Sequence, residues 1–159
     1  MSERRPTRIE YLLPRLWHAM LFGGFAVAYV TADEDTYAMH LFAGYLVLAL
    51  VGLRVVMHLA APANSPLRLR RPSLAALPGW LRRPVGRSPL MAIMAAILLP
   101  VIAVAAVSGV IADGSPWMED IHEAVSEWSL VLVFVHAALV VLLLQGRRLW
   151  TRLFAKPAA

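Results

Sequence analysis

Residues 119–139 read EDIHEAVSEWSLVLVFVHAAL and hold two histidines, His122 and His136, fourteen positions apart with an almost unbroken apolar run between them. An α-helix turns about 100° and rises about 1.5 Å per residue. The two imidazoles therefore fall within roughly 40° of one face, about 21 Å apart along the axis. That is most of the thickness of a bilayer's hydrocarbon core, which is about 30 Å. The stretch reads as a membrane helix that carries ionisable rings at two depths.

The composition agrees. The chain of 159 residues is 60% hydrophobic, with a mean hydropathy of +0.66, more apolar than soluble domains usually are. It is expected to form a single all-α integral membrane domain over residues 1–159. The absence of cysteine excludes disulfides, thiolate metal sites, iron–sulfur clusters and thioether-linked c-type haem. A pI near 10.4 would point to nucleic acid in a soluble protein. Here the placement of the charges points to lipid instead, and no nucleic-acid partner is expected.

Four apolar segments, at about 12–32, 38–60, 89–112 and 121–145, are each long enough to span as a helix. Ser88-Pro89 and Ser115-Pro116 look like N-cap and first-turn proline signals, and Pro100 is expected to kink the third segment. The connections at 33–37 and 113–120 contain no Lys or Arg. The fifteen basic residues sit elsewhere: four in 1–15, Arg54, six in 68–87 and four in 147–156. All fall at one side of a pair of helical hairpins. Of the ten acids, all but Glu3 and Glu10 lie in or beside the opposite connections. The positive-inside rule then predicts a four-helix bundle with both termini and the 61–87 loop in the cytoplasm, the loop lying along the headgroups. The first segment, with "VTA" before "DED", also has the outline of a signal peptide. Arg15, Trp17 and His18 interrupt it, and it is read as a retained helix.

All five histidines, His18, His40, His58, His122 and His136, lie within or at the ends of these segments. An ionisable group in a bilayer is costly and marks a functional candidate, although a single histidine more often bonds between helices. Depth sorts four of them. His40 and His122 each stand near the outer start of a helix. His18 and His136 both lie in the cytoplasmic half. This gives two pairs, one per leaflet, and two imidazoles facing each other across a bundle suit the axial positions of a haem iron. His58 lies about 27 Å along from His40, at the headgroup edge. It is read as interfacial, with an axial role in place of His18 and proton handling at a quinone site as alternatives. Gly44, one turn after His40, would let a flat macrocycle approach the backbone or serve close helix packing. Gly23 and Gly24 are read as packing. Arg15 and Arg54 could pair with haem propionates or snorkel to lipid phosphate. Trp17, Tyr37, Trp80, Trp117 and Trp150 are expected in interfacial belts, and Met39 and Met57 in packing.

Four stretches, RLWHAM at 15–20, MHLFAGYLVLALVGLR at 39–54, GRSPLMAIM at 86–94 and IHEAVSEWSLVLVFVHAAL at 121–139, together resemble the bacterial cytochrome b561 and nickel–iron hydrogenase b-type cytochrome family. The resemblance covers nearly the whole chain. It implies a bacterial inner-membrane protein of four helices holding two b haems, with His18 and His136 as ligands of the cytoplasmic-side haem and His40 and His122 of the periplasmic-side one. Where hydrogenase-linked members often carry G-H-N-P-L-G, this chain has GRSPLM. The expected function is electron transfer between the quinone pool and a periplasmic redox partner such as a c-type cytochrome. Alternatives are a superoxide:quinone oxidoreductase, a b-type subunit of a hydrogenase-like complex, and, from another class, a haem-free assembly subunit.

Overall fold

The first helix begins before its apolar run does. Thr7 accepts the backbone N–H of Glu10 at 3.4 Å, and a Glu10 carboxylate oxygen accepts the N–H of Thr7 at 2.8 Å. This reciprocal capping box satisfies two donors that a helix start otherwise leaves open. It sets α1 at Arg8–Val30, four residues earlier than the hydropathy suggested. The computed structural model describes residues 5–83 and 88–154, with 147–154 described by backbone alone. Glu3, Arg4, Gly86, Arg87 and Lys156, and the side chains of Arg147, Arg148, Trp150 and Arg152, lie outside the described residues.

After α1 a single 3-10 turn, Glu34–Thr36, leads into α2 (Tyr37–Ala60). The basic loop carries a short helix, α3 (Leu77–Arg82), and α4 follows at Pro89–Ala112. Ser88 caps α4 as its sequence indicates, accepting the N–H of Leu90 at 3.2 Å, and the helix continues unbroken through Pro100. Ser115-Pro116 does not start the last helix. It heads a 3-10 turn, Pro116–Met118, without a side-chain cap, and α5 begins at Glu119. α5 runs to Phe154, nine residues past the end of its apolar segment. Arg147 and Arg148 end the apolar stretch but not the helix, because arginine is a good helix former.

The described residues contain helices and turns and no strand. Three spans are long and apolar enough to cross a membrane: Glu34–Ala60, Pro89–Ala112 and Pro116–Gly146. α1 has the length but does not meet the same apolarity, since Arg8, Glu10, Arg15 and His18 crowd its first half. α1 packs on α2, α2 on α4, and α4 on α5. α1 and α5 are not close-packed neighbours among the described residues. The core lies where α1, α2 and α4 meet, around Leu21, Val47, Leu50, Val51, Leu98, Ile102 and Ala106. Outside it, Phe22, Phe42, Phe134 and Leu142 are exposed. A soluble protein buries such side chains, whereas a membrane protein turns them to lipid.

Trp17 is not a belt residue. It packs against the core, and its indole N–H donates to the Leu50 carbonyl at 2.7 Å, which ties α1 to α2. Gly24 permits that approach: a Cβ there would stand 3.3 Å from Val47 Cγ2. Gly23 would meet nothing within 4 Å, so only the second of the two glycines is explained by packing.

Candidate functional site

The helices bring the four depth-sorted histidines together two by two. His40, one turn into α2, and His122, one turn into α5, have ring centroids 6.0 Å apart with their planes at 72°. His18 on α1 and His136 on α5 also have centroids 6.0 Å apart, with planes at 28°. Two imidazole nitrogens bound on opposite sides of one metal each sit about 2 Å from it. With roughly 1.1 Å from nitrogen to ring centroid, the centroids then stand about 6 Å apart. Ordinary edge-to-face ring contacts also fall near this distance, so the free nitrogens carry the distinction.

In the His40–His122 pair, called outer (and His18–His136 inner) after the orientation expected from the charges, those nitrogens are arranged. His40 Nδ1 lies 2.7 Å from the Ala28 carbonyl. A carbonyl only accepts, so Nδ1 carries the proton and Nε2 the lone pair. Ser108 donates its hydroxyl to the Ala105 carbonyl at 3.0 Å, and its oxygen stands 3.1 Å from His122 Nδ1. The committed hydroxyl accepts from Nδ1–H, and His122 takes the same tautomer as His40. A ring held through one nitrogen while the other is free is the usual arrangement of a metal-ligating histidine. Gly109 makes the His122 position possible, because a Cβ there would stand 2.8 Å from His122 Cε1.

The outer pair opens on a cavity of about 830 Å³ lined by His40, His122, Ala28, Ser129 and residues of α4. Glu34, Asp113, Glu119, Glu123 and Glu127 also line it, and no Lys or Arg does. Gly44, half-buried and one turn after His40, would meet no atom within 4 Å if it carried a Cβ, so helix packing does not explain it. Tyr37 closes the outer end: its hydroxyl donates to Asp113 at 2.8 Å and its ring lies 6.1 Å from His40 at 13°. The bond joins the two outer turns in an exposed setting. Tyr37→Phe should therefore lower stability by about 1 kcal/mol or less, read from thermal unfolding in detergent, without displacing His40.

The inner pair is held more loosely. His18 is exposed, and His136 is half-buried with Nδ1 buried and lacking a hydrogen-bond partner. Neither lines the outer cavity. Trp17 stands edge-on to His18 at 6.1 Å. Arg15 is exposed one turn before His18. Arg54 is buried, 5.4 Å above the Trp17 ring, and donates to the Leu67 carbonyl at 2.6 Å. It therefore holds the loop after α2 with at least one of its donors. His58, in the last turn of α2, holds that loop as well: its Nδ1 accepts the N–H of Leu69 at 3.1 Å. When neutral it carries its proton on Nε2, opposite to the outer pair, and it joins neither ring pair.

Among the described residues no group of three or more His, Cys, Asp or Glu side chains is gathered around a point. The imidazoles come in twos. A bare ion needs three or four protein donors, whereas a metal carried by a cofactor that supplies its other ligands would need only two from the protein. The two-nitrogen donor set, the fixed tautomers and the adjoining cavity of His40 and His122 are what a haem would need, whereas the His18–His136 pair shares only the 6.0 Å spacing. Ser108, Gly109 and the Ala28 carbonyl have no signature in the spacing of histidines; only packing α4 and α1 against the other helices reveals them. Compared with protein-family models, curated proteins and solved structures, the chain matches none.

Proposed function

We propose that the chain is a dihaem b-type membrane cytochrome that passes electrons between the quinone pool and a redox partner in the periplasm. One observation carries this reading: two histidine pairs share α5 at positions fourteen residues apart, and in the His40–His122 pair both rings are held through Nδ1, which leaves Nε2 for a ligand. His40 and His122 would hold the outer haem and His18 and His136 the inner one. Bound haem supplies a one-electron couple at each depth, which divides the crossing of an insulating bilayer into two shorter steps. The protein's part would be to hold the His40 and His122 rings through Ala28 and Ser108 and to line the cavity beside them with acids as well as apolar side chains. α1 completes the bundle as a fourth span, with the basic ends in the cytoplasm and the inner membrane of a bacterium as the location.

A dithionite-reduced spectrum and acid-acetone extraction of the purified chain should give two non-covalent haems per polypeptide. One haem or none overturns the two-site reading. The hydrogen bonds of His40 and His122 would equally serve a haem-free subunit that uses histidines to tie helices. A purified protein without visible absorption establishes that reading instead.

The acidic rim bears on the partner. Glu34, Asp113 and Glu119 in the lining of the outer cavity would repel small anions such as superoxide and attract a basic protein. Neutralising Asp33, Glu34 and Asp35, all exposed, should leave haem content unchanged. It should slow electron transfer with a basic periplasmic cytochrome at low salt, and the difference should shrink as salt screens the charges. Equal rates at low ionic strength would leave these acids as topology signals only.

A further inference from the structure

A second cavity, of about 890 Å³, lies at the other end of the bundle, where the loop after α2 folds over the ends of α1, α2, α4 and α5. Its walls differ in kind. Arg54, Arg68 and Arg70 line one side, and no Asp or Glu is among the lining residues. Met91 and Ala95 of α4 and Val140 and Leu144 of α5 line the other, within the segments apolar enough to cross a membrane. Arg54 donates one N–H to Leu67 and Arg68 donates its Nε–H to Ala61 at 3.0 Å. A guanidinium has five donors, so others remain for a ligand. Glu10, next to the lining residue Ser65, accepts the Ser65 hydroxyl at 3.1 Å while capping α1. Trp80 also lines the cavity, and its indole N–H is buried with no acceptor among the described residues.

The loop that covers this space is tied down by the Arg54–Leu67, Arg68–Ala61 and His58–Leu69 hydrogen bonds, so the cavity is a constructed site rather than a gap between helices. We propose that it holds one anionic phospholipid. The phosphodiester pairs with the arginines, for which guanidinium geometry is suited. An ester or phosphate oxygen supplies the acceptor that Trp80 lacks. The acyl chains lie along α4 and α5. Basic pockets between membrane helices are a recurring way to bind acidic lipid headgroups. The apolar wall selects lipid over free phosphate, which has no use for it. This inference stands apart from the haem reading.

The test is native mass spectrometry of the delipidated full chain after adding back phosphatidylglycerol or phosphatidylcholine. One phosphatidylglycerol should stay bound under activation that strips phosphatidylcholine. The double variant Arg68→Gln, Arg70→Gln should retain about tenfold less of it, with haem content unchanged. Ala95→Phe, which fills the apolar wall with the arginines intact, should lose the lipid too, and it decides the matter if the arginine variant fails to fold. Equal retention of both lipids overturns the proposal, as does displacement by inorganic phosphate alone or unaltered retention in both variants. Loss of one haem from the arginine variant would assign the cavity to the inner histidine pair and overturn it as well.

Discussion

On the dihaem reading, His122→Ala should leave the purified chain with one of the two proposed haems. The imidazole opposite His40, 6.0 Å away, is then gone, and a single axial nitrogen with no covalent tether holds a haem poorly. His40→Ala should remove the same haem. His18→Ala and His136→Ala should each remove the other, so that the four variants sort into two spectral classes with different midpoint potentials. The fold should survive His122→Ala, because the Ser108 hydroxyl keeps its bond to the Ala105 carbonyl. Retention of both haems in any of the four variants refutes the ligand assignment for that residue. If His58→Ala empties the inner site while His18→Ala spares it, the cytoplasmic-side pairing is wrong.

Gly109→Ala should separate stability from cofactor binding. Alanine favours a helix interior over glycine by about 1 kcal/mol, and the substitution is mild by that measure. The new methyl would stand 2.8 Å from His122 Cε1, closer than carbon atoms approach, so the ring must turn off the line to His40. Disturbing what orients a ligand typically costs 10–100-fold in affinity. The outer haem should become substoichiometric after dilution or gel filtration, while thermal unfolding of the haem-free protein holds or rises. Gly24→Ala is the control. Its methyl would meet Val47 at 3.3 Å and no histidine, so any cost should appear in the unfolding temperature with both haems retained. Full outer-haem occupancy in Gly109→Ala would show that the ring has room to spare.

The juxtaposition of the four rings was legible in the sequence because it needs only two things, helix periodicity and alternation of direction. Fourteen residues fix the spacing on α5, and the position of each histidine relative to the basic and acidic ends fixes its depth. What holds the outer rings was not legible. Ala28 contributes a backbone oxygen, which no residue type announces. Ser108 and Gly109 act on a histidine of another helix, through a register that only packing sets. The Thr7–Glu10 box is written in the sequence, but it precedes the apolar run by which hydropathy marks the helix. The extension of α5 past Gly146 has no signal in hydropathy, because charge ends a membrane span without ending a helix. Arg54 was placed at the right end of α2, yet its commitment to Leu67 depends on the path of a proline-rich loop that has no period to read.

The order in which the helices pack has a consequence for how the protein is made. α1 lies on α2, α2 on α4 and α4 on α5, so each helix finds its neighbour in the part of the chain already synthesised. Contacts of this kind form quickly and need no rearrangement of what came before. Both ring pairs break the pattern: each joins α5 to a helix from the first half of the chain. Neither can exist on a nascent chain that stops short of residue 136 or 122 respectively. A ribosome that stalls after α4 releases a helical fragment with two of the four paired histidines and no partner for either. On the dihaem reading, capture of both cofactors would report that synthesis has passed residue 136.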